Sequence, residues 1–218
     1  MRRRALVVLV LVAALWPAPP AHAQRPLTRE QALEALKKPD DTEARRLGAA
    51  RLGETGQMAD VPLLIAALRD PDVAVRDLAE RALWQIWSRS GDPEVDSLFQ
   101  IGLERMREPA PQAAVRTFSE IIQKKPEFAE GWNKRATVYY LIGEYDKSLA
   151  DCEEVIKRNP VHFGALSGFG MNYLQLSQPE KALEYFQRAL RVNPNLEQVE
   201  ATVTELKELL LQQRRDSI

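Results

Sequence analysis

Residues 129–162, AEGWNKRATVYYLIGEYDKSLADCEEVIKRNPVH, run directly into residues 163–196, FGALSGFGMNYLQLSQPEKALEYFQRALRVNPNL. Laid over one another, the two stretches keep similar residue types in the same places. Trp132 meets Leu166, Ala136 meets Gly170, Tyr139 meets Tyr173, Ser148 meets Ala182, Cys152 meets Phe186 and Pro160 meets Pro194. Apolar residues recur in each at three- and four-residue spacing, which is the pattern of amphipathic helices. Gly143 breaks the first stretch in the middle, and Ser177-Gln178-Pro179 breaks the second, so each holds two helices. The closing proline stops the second helix where no interior hydrogen bond is lost. Small residues mark where two helices cross closely. Trp132, Tyr139, Phe169, Tyr173 and Phe186 supply the bulk between helices.

The register extends upstream. Pro126 precedes Pro160 by the same 34 residues that separate Pro160 from Pro194, and Leu98, Gly102, Ala114, Phe118 and Ile121 fall in the established columns. This unit departs at Arg105, in the tyrosine column, and at Pro109-Ala110-Pro111 in its turn. Residues 95–128, 129–162 and 163–196 resemble three tetratricopeptide repeats, at their period and with their W/L, G/A, Y, A/S, F and P columns. Residues 197–214 read as one further helix with Val199, Val203, Leu206, Leu209 and Leu210 on one side, suited to capping the last apolar face. A short tail, 215–218, follows.

A weaker period lies in residues 24–90. Ala35-Leu36-Lys37-Lys38-Pro39-Asp40 matches Ala67-Leu68-Arg69-Asp70-Pro71-Asp72, and Arg45, Leu47, Gly48 and Leu52 match Arg76, Leu78, Ala79 and Leu83. A helix, a Pro-Asp or Asp-Pro turn and an Arg-bearing helix resemble HEAT-like repeats. About two are visible, the first lacking its opening helix. Asp40 and Asp70 are placed to pair with Arg46 and Arg76. Trp84 and Trp87 read as core against the next layer, and Gly91-Asp92-Pro93 marks a short joint near 88–94. The expected fold is all-α: an α-solenoid of about two HEAT-like repeats, three tetratricopeptide units and a capping helix, stacked as one array.

Residues 1–23 carry Arg2-Arg3-Arg4, an apolar run from Ala5 to Trp16, and Ala21-His22-Ala23. This is the layout of a secretory signal, with cleavage expected between Ala23 and Gln24. Twelve apolar residues are too few for a spanning helix, which needs roughly 20. The expectation is a soluble exported protein, periplasmic in a Gram-negative cell.

Composition narrows the chemistry. The chain has 218 residues, one cysteine and two histidines. Cys152 sits in an apolar column and reads as a small buried hydrophobe. No disulfide within the chain and no zinc set can be built from these, so no metal or cofactor is expected. Without residues 1–23 the chain holds 27 basic and 31 acidic side chains, a net charge of −4. With no basic stripe, nucleic acid is not an expected partner. Glycine-rich phosphate loops, nucleophile elbows and metalloprotease motifs are absent from the sequence. Glu104 with Glu108, and Glu153 with Glu154, lie on solvated helix faces, and His162 reads as an exposed turn residue.

The tetratricopeptide resemblance implies a concave groove lined by the first helix of each unit. Carried onto this chain, its columns give Phe99, Leu103 and Met106; Asn133, Lys134, Thr137 and Tyr140; and Gly164, Ser167, Gly168, Met171 and Gln175. A groove of methionine, aromatic and amide groups suits an amphipathic helix or an apolar peptide. Lys134 is placed to meet an acidic group and Asn133 a peptide backbone. The family's carboxylate clamp needs Lys, Asn, Asn, Lys and Arg. The matching positions here are Phe99, Leu103, Lys134, Gly164 and Gly168, so a chaperone-tail adaptor is not expected. The functional expectation is a non-enzymatic scaffold or adaptor of the cell envelope that binds a protein or peptide. The alternatives are a self-associating repeat protein and, on the HEAT-like resemblance, a chromophore-lyase-like enzyme.

Overall fold

The structure is a computed structural model that describes residues 26–216. The signal-like segment, with Ala23 and Gln24, lies outside the described residues. Eleven α-helices and one short 3-10 turn, and no strand, are found among them: α1 Arg29–Leu36, α2 Thr42–Thr55, α3 Val61–Ala67, α4 Val73–Trp87, α5 Pro93–Arg105, α6 Pro111–Lys124, α7 Ala129–Leu141, α8 Tyr145–Arg158, α9 Phe163–Gln175, α10 Pro179–Val192 and α11 Glu197–Asp216. None of the described helices is long and apolar enough to cross a membrane.

Local chemistry sets the helix ends. Thr28 and Gln31 form a reciprocal capping box on α1, and Asp41, Asp72 and Asp92 cap α2, α4 and α5 with their carboxylates. Prolines open α5, α6 and α10, where a missing N–H costs nothing. The turns inside the second and third units are the same left-handed closure. Glu144 N–H donates to the Tyr139 carbonyl at 2.9 Å, and Gln178 N–H to the Tyr173 carbonyl at 2.8 Å. Gly143 takes the left-handed position at φ 78°, and Ser177 takes it one repeat later at φ 56°. A side chain there is strained. Ser177→Gly is therefore expected to stabilise the chain by about 0.5–1 kcal/mol, after the extra entropy of glycine in the unfolded chain is deducted. Urea unfolding checks this: the midpoint rises with the slope unchanged. A midpoint at or below the wild-type value contradicts the reading.

Packing between paired helices follows the columns. A Cβ on Gly102 would lie 2.6 Å from the Phe118 ring, and one on Gly170 would lie 2.5 Å from the Phe186 ring. Where the small column holds Ala136 instead, the facing column holds the smaller Cys152. Volume is conserved at each crossing, as close packing demands. In the first unit, where arginine replaces the column's tyrosine, Arg105 hydrogen-bonds the Thr117 hydroxyl.

The amino-terminal helices form two stacked pairs, α1 with α2 and α3 with α4, with α2 lying on α4. An opening helix, α1, is thus present before α2, contrary to expectation, and it is eight residues long. The Asp–Arg pairing also differs. Asp70 accepts from Arg45 of the preceding pair (2.7 and 3.1 Å), and Asp72 from Arg46 (2.6 and 2.9 Å). Arg76 instead donates to the carbonyl of Asp70, in its own turn, at 2.8 Å. The carboxylates tie one helix pair to the next, because an arginine six residues on reaches the turn's backbone first.

The largest departure is the placement of this section. It does not stack as the next layer of a single array. It lies across the turns that join one repeat unit to the next. Phe163, together with Val161, Val192 and Leu196, belongs to the same apolar core as Leu64, Leu83 and Trp87. Arg69 donates to the carbonyls of Arg191 and Val192, Asn195 donates to the Leu68 carbonyl at 2.8 Å, and Asn193 donates to the Glu80 carboxylate at 2.9 Å. The joint is short, with Gly91 left-handed and the Asp96 carboxylate accepting from the Ser90 N–H at 2.7 Å. The carboxy-terminal helix runs to Asp216, two residues past its expected end.

Candidate functional site

Helices α7 and α9 stand side by side with α8 behind them, and a cavity of about 240 Å³ opens between them. Asn133, Thr137 and Tyr140 line it from α7, and Gly164, Ser167, Gly168 and Met171 from α9. Its walls are more apolar than these names imply. The Thr137 hydroxyl donates to the Asn133 carbonyl and the Ser167 hydroxyl to the Phe163 carbonyl, both at 2.9 Å, so both are turned back on their own helices. Met171 is 39% exposed at the mouth. At the rim, the Gln175 amide lies between two phenols, accepting from Tyr145 at 3.4 Å and donating to Tyr140 at 3.5 Å.

Ala136, Ser148, Cys152 and Asn172, which the sequence reading did not assign, also line the cavity, Ser148 and Cys152 from α8 behind it. Asn172 Nδ2 donates to the Ser148 hydroxyl at 2.9 Å and to the Gly168 carbonyl at 2.8 Å, and the Ser148 hydroxyl donates to the Ala136 carbonyl at 2.8 Å. Both side chains are buried, and this chain of bonds joins α7, α8 and α9. The signal was legible: Ser148 stands in a column otherwise alanine, and Asn172 stands opposite Val138. Cys152 is buried beside Ala136 and Phe169, and burial pushes its thiol up to about 12. It is not a nucleophile at neutral pH.

One end of the cavity is built by an unexpected network. Glu130 and His162 are both fully buried. His162 Nδ1 accepts from the Ala165 N–H at 3.0 Å, capping α9, so its proton sits on Nε2, which lies 2.5 Å from the Glu130 carboxylate. Asn133 Nδ2 donates to both Glu130 oxygens at 3.1 Å, and Lys134 Nζ lies 3.4 Å away. Burial alone would raise the Glu130 pKa. The His162 hydrogen bond, the Lys134 charge and the Asn133 bond outweigh it and hold the carboxyl down at about 2. His162 is therefore no exposed turn residue. Trp87 stacks on its ring at 4.5 Å, and Trp84 meets it edge-on.

The expected groove residues accordingly divide. Asn133, Thr137, Tyr140, Ser167 and Met171 are brought together at the cavity, and Gln175 reaches its rim. Lys134 is committed to Glu130 and to the face of Trp84, 5.5 Å from the ring centre. Phe99 is buried against Phe118 and Phe128, and Leu103 and Met106 pack on the same core. All three serve the first helix pair, because α5 turns its apolar side toward α6. Gly164 has a further role. A Cβ there would lie 2.5 Å from Trp84, so the glycine admits α4 against this end of the cavity.

Comparison with known proteins places this geometry. The tetratricopeptide repeat family profile matches residues 129–162 and 168–196. A TPR repeat-containing protein of Rhizobium etli is 36% identical over 126 residues, 58% of this chain and 61% of that protein. The Hsp70-Hsp90 organizing protein of Triticum aestivum is 24% identical over 135 residues, 62% of this chain and 22% of its own length. The chain thus spans less than two thirds of either relative. Among solved structures, the first TPR of Spaghetti (RPAP3), bound to the HSP90 peptide SRMEEVD, superposes with a TM-score of 0.52 at 18% identity, covering 54% of this chain and 93% of that one. The Sgt2 TPR domain from Aspergillus fumigatus superposes with a TM-score of 0.54 at 19% identity, covering 57% and 83%. The helix pairs around the cavity, α7 with α8 and α9 with α10, match the tetratricopeptide repeat, and the fold of the described residues is helical and similar to that of solved tetratricopeptide-repeat domains.

Proposed function

We propose that the protein is a non-enzymatic, exported scaffold or adaptor that takes an apolar peptide or helix of an envelope protein into the cavity between α7 and α9. The observation that carries this reading is the cavity itself. It is an apolar opening framed by Tyr140 and Met171, on the face that two consecutive repeats share. An exposed methionine and a half-buried tyrosine beside turned-back hydroxyls suit an apolar side chain with a polar backbone. A protein partner agrees with the relatives, one of them solved with a bound peptide. The positions matching the family's clamp carry Phe99, Leu103, Lys134, Gly164 and Gly168, and Phe99 is buried, so the occupant is not a chaperone tail. Export is supported by the charged, apolar and small-residue segments of residues 1–23. The two amino-terminal helix pairs, joined by Arg45–Asp70 and Arg46–Asp72, are read as HEAT-like.

Cross-linked capture from the cell envelope tests the reading. The Tyr140→Ala, Met171→Glu double variant leaves the Glu130 network untouched. It is expected to weaken binding of the captured partner about 30-fold, the effect of losing a central aromatic anchor. Equal capture by variant and wild type would falsify the assignment of the cavity.

A further inference from the structure

A second cavity, of about 210 Å³, lies where the amino-terminal section meets the repeat turns. Met58, Trp87 and Arg89 line it from one side, and Phe128, Arg158 and Asn159 from the other. Two of its lining residues, Trp87 and Asn159, carry buried donors, Nε1 and Nδ2, that have no hydrogen-bond partner among the described residues. Both residues are more than nine-tenths buried, Trp87 at 4% exposure and Asn159 at 3%. Unpartnered buried donors cost free energy, and two in one wall call for an acceptor.

The repeat shows which acceptor this asparagine position takes. Asn193 stands 34 residues after Asn159, in the same place before the proline. Its Nδ2 donates to the Glu80 carboxylate, which α4 supplies. Among the described residues no carboxylate bonds the Asn159 amide, and α4 contributes Trp87 to the same cavity. The charge of the cavity points the same way. The guanidinium of Arg89 donates to the carbonyls of Gly53 (2.6 Å) and Gly56 (2.7 Å), and among the described residues no carboxylate lies in salt-bridge range of it, Asp96 acting on it from farther off. Arg158 is paired with Glu154 and Lys125 lies 3.9 Å from Glu127, and the lining itself, with Arg89, Lys125 and Arg158 against Glu127, is net positive. The Met58 and Phe128 side chains make the remainder apolar. One water would satisfy the donors but would fill only about 30 Å³ and leave the apolar wall without contact.

We propose that this cavity binds a carboxylate carried on a short apolar stem, its oxygens accepting from Trp87 Nε1–H and Asn159 Nδ2–H. The stem lies along Met58 and Phe128, and Arg89 supplies the balancing charge. The site is separate from the cavity between α7 and α9 and does not depend on what that cavity holds. Two sources present such a group: a free short-chain acid and the carboxy-terminus of a polypeptide.

The test follows the Trp87 indole N–H resonance in the ¹⁵N-labelled full chain, assigned with Trp87→Phe. Sodium butyrate is titrated against butyramide and sodium chloride at matched ionic strength. In a second arm the tripeptide Ala-Ala-Leu is added as the free acid or as its carboxy-terminal amide. The expected result is a saturable shift with one or both acids and none with the amides or chloride. Asn159→Asp keeps the side-chain size but repels a carboxylate, and is expected to weaken the effect about tenfold or more. Asn159→Ala, with an unchanged circular dichroism spectrum, serves if the aspartate disturbs the turn. A stronger response to the peptide acid identifies a polypeptide terminus, and a response to butyrate alone identifies a free acid. No shift with either acid, an equal shift with the amides, or an equal shift in the folded Asn159 variant overturns the proposal and leaves water as the donors' partner.

Discussion

Phe163→Ala is expected to split the unfolding of this chain into two steps. Phe163 opens α9 of the third repeat, yet its ring is 1% exposed and packs in the core of the amino-terminal helices. It lies 5.2 Å from Trp84 and 5.1 Å from Trp87, measured between ring centres. Truncating a buried phenylalanine costs about 3–5 kcal/mol. Here the loss falls on the contact between two sections rather than inside either one. The polar contacts that remain, Arg69 with the Arg191 and Val192 carbonyls, Asn193 with the Glu80 carboxylate and Asn195 with the Leu68 carbonyl, are few. The wild type should unfold in urea with coincident transitions by far-ultraviolet circular dichroism and tryptophan fluorescence. In the variant, fluorescence from Trp84 and Trp87 should change at lower urea than the helix signal. A single coincident transition at the wild-type midpoint would mean that the two sections are not energetically joined at this ring.

Glu130→Ala should be the most damaging polar substitution. It removes the acceptor shared by His162 and Asn133 and the counter-charge of Lys134, all at a fully buried position. Breaking a buried pair from one side costs about 3–5 kcal/mol, because the partner groups stay buried without it. Glu130→Gln keeps an acceptor of the same shape and should cost less. Acid separates the charge from the shape. The carboxyl titrates at about 2 in the folded chain against an ordinary 4.5. A depressed carboxylate stabilises the fold above its unfolded pKa, and that contribution is lost as pH falls toward the folded value. Wild-type stability should therefore drop between pH 4.5 and about 2, and the drop should be smaller in Glu130→Gln. Parallel pH profiles for the two proteins would show that Glu130 carries no such charge.

Much of the repeat section was open to reading from residue spacing. Gly170 against Phe186, and Ala136 against Cys152, are contacts within one helix pair, so each appears as a column in the repeat. The left-handed turns at Gly143 and Ser177 are local in the same way. The cavity was legible in part. Asn133, Thr137, Tyr140, Ser167 and Met171 come from the first helices of the repeats, where periodicity fixes the face. Phe99 followed the same arithmetic into the wrong place, because a column states which side of a helix a residue occupies and not whether another helix covers that side. Ser148 and Asn172 were passed over because one hydroxyl and one amide in apolar columns look like tolerated variation until their mutual bond is seen.

By itself the sequence determined the helices, their pairing and the 34-residue stacking, since these rest on caps, turns and contacts between near neighbours in the chain. Only the tertiary structure decided that the amino-terminal section lies across the repeat turns instead of extending the stack. The residues that hold it there, Arg69, Glu80, Trp84 and Trp87 on one side and His162, Phe163, Asn193 and Asn195 on the other, make contacts that span 75 to 127 positions and follow no common period. A contact made once between distant segments leaves no repeat to read. Its trace in the sequence is a buried His–Glu pair and a glycine at 164, which take on meaning only when Trp84 and Trp87 are placed against them.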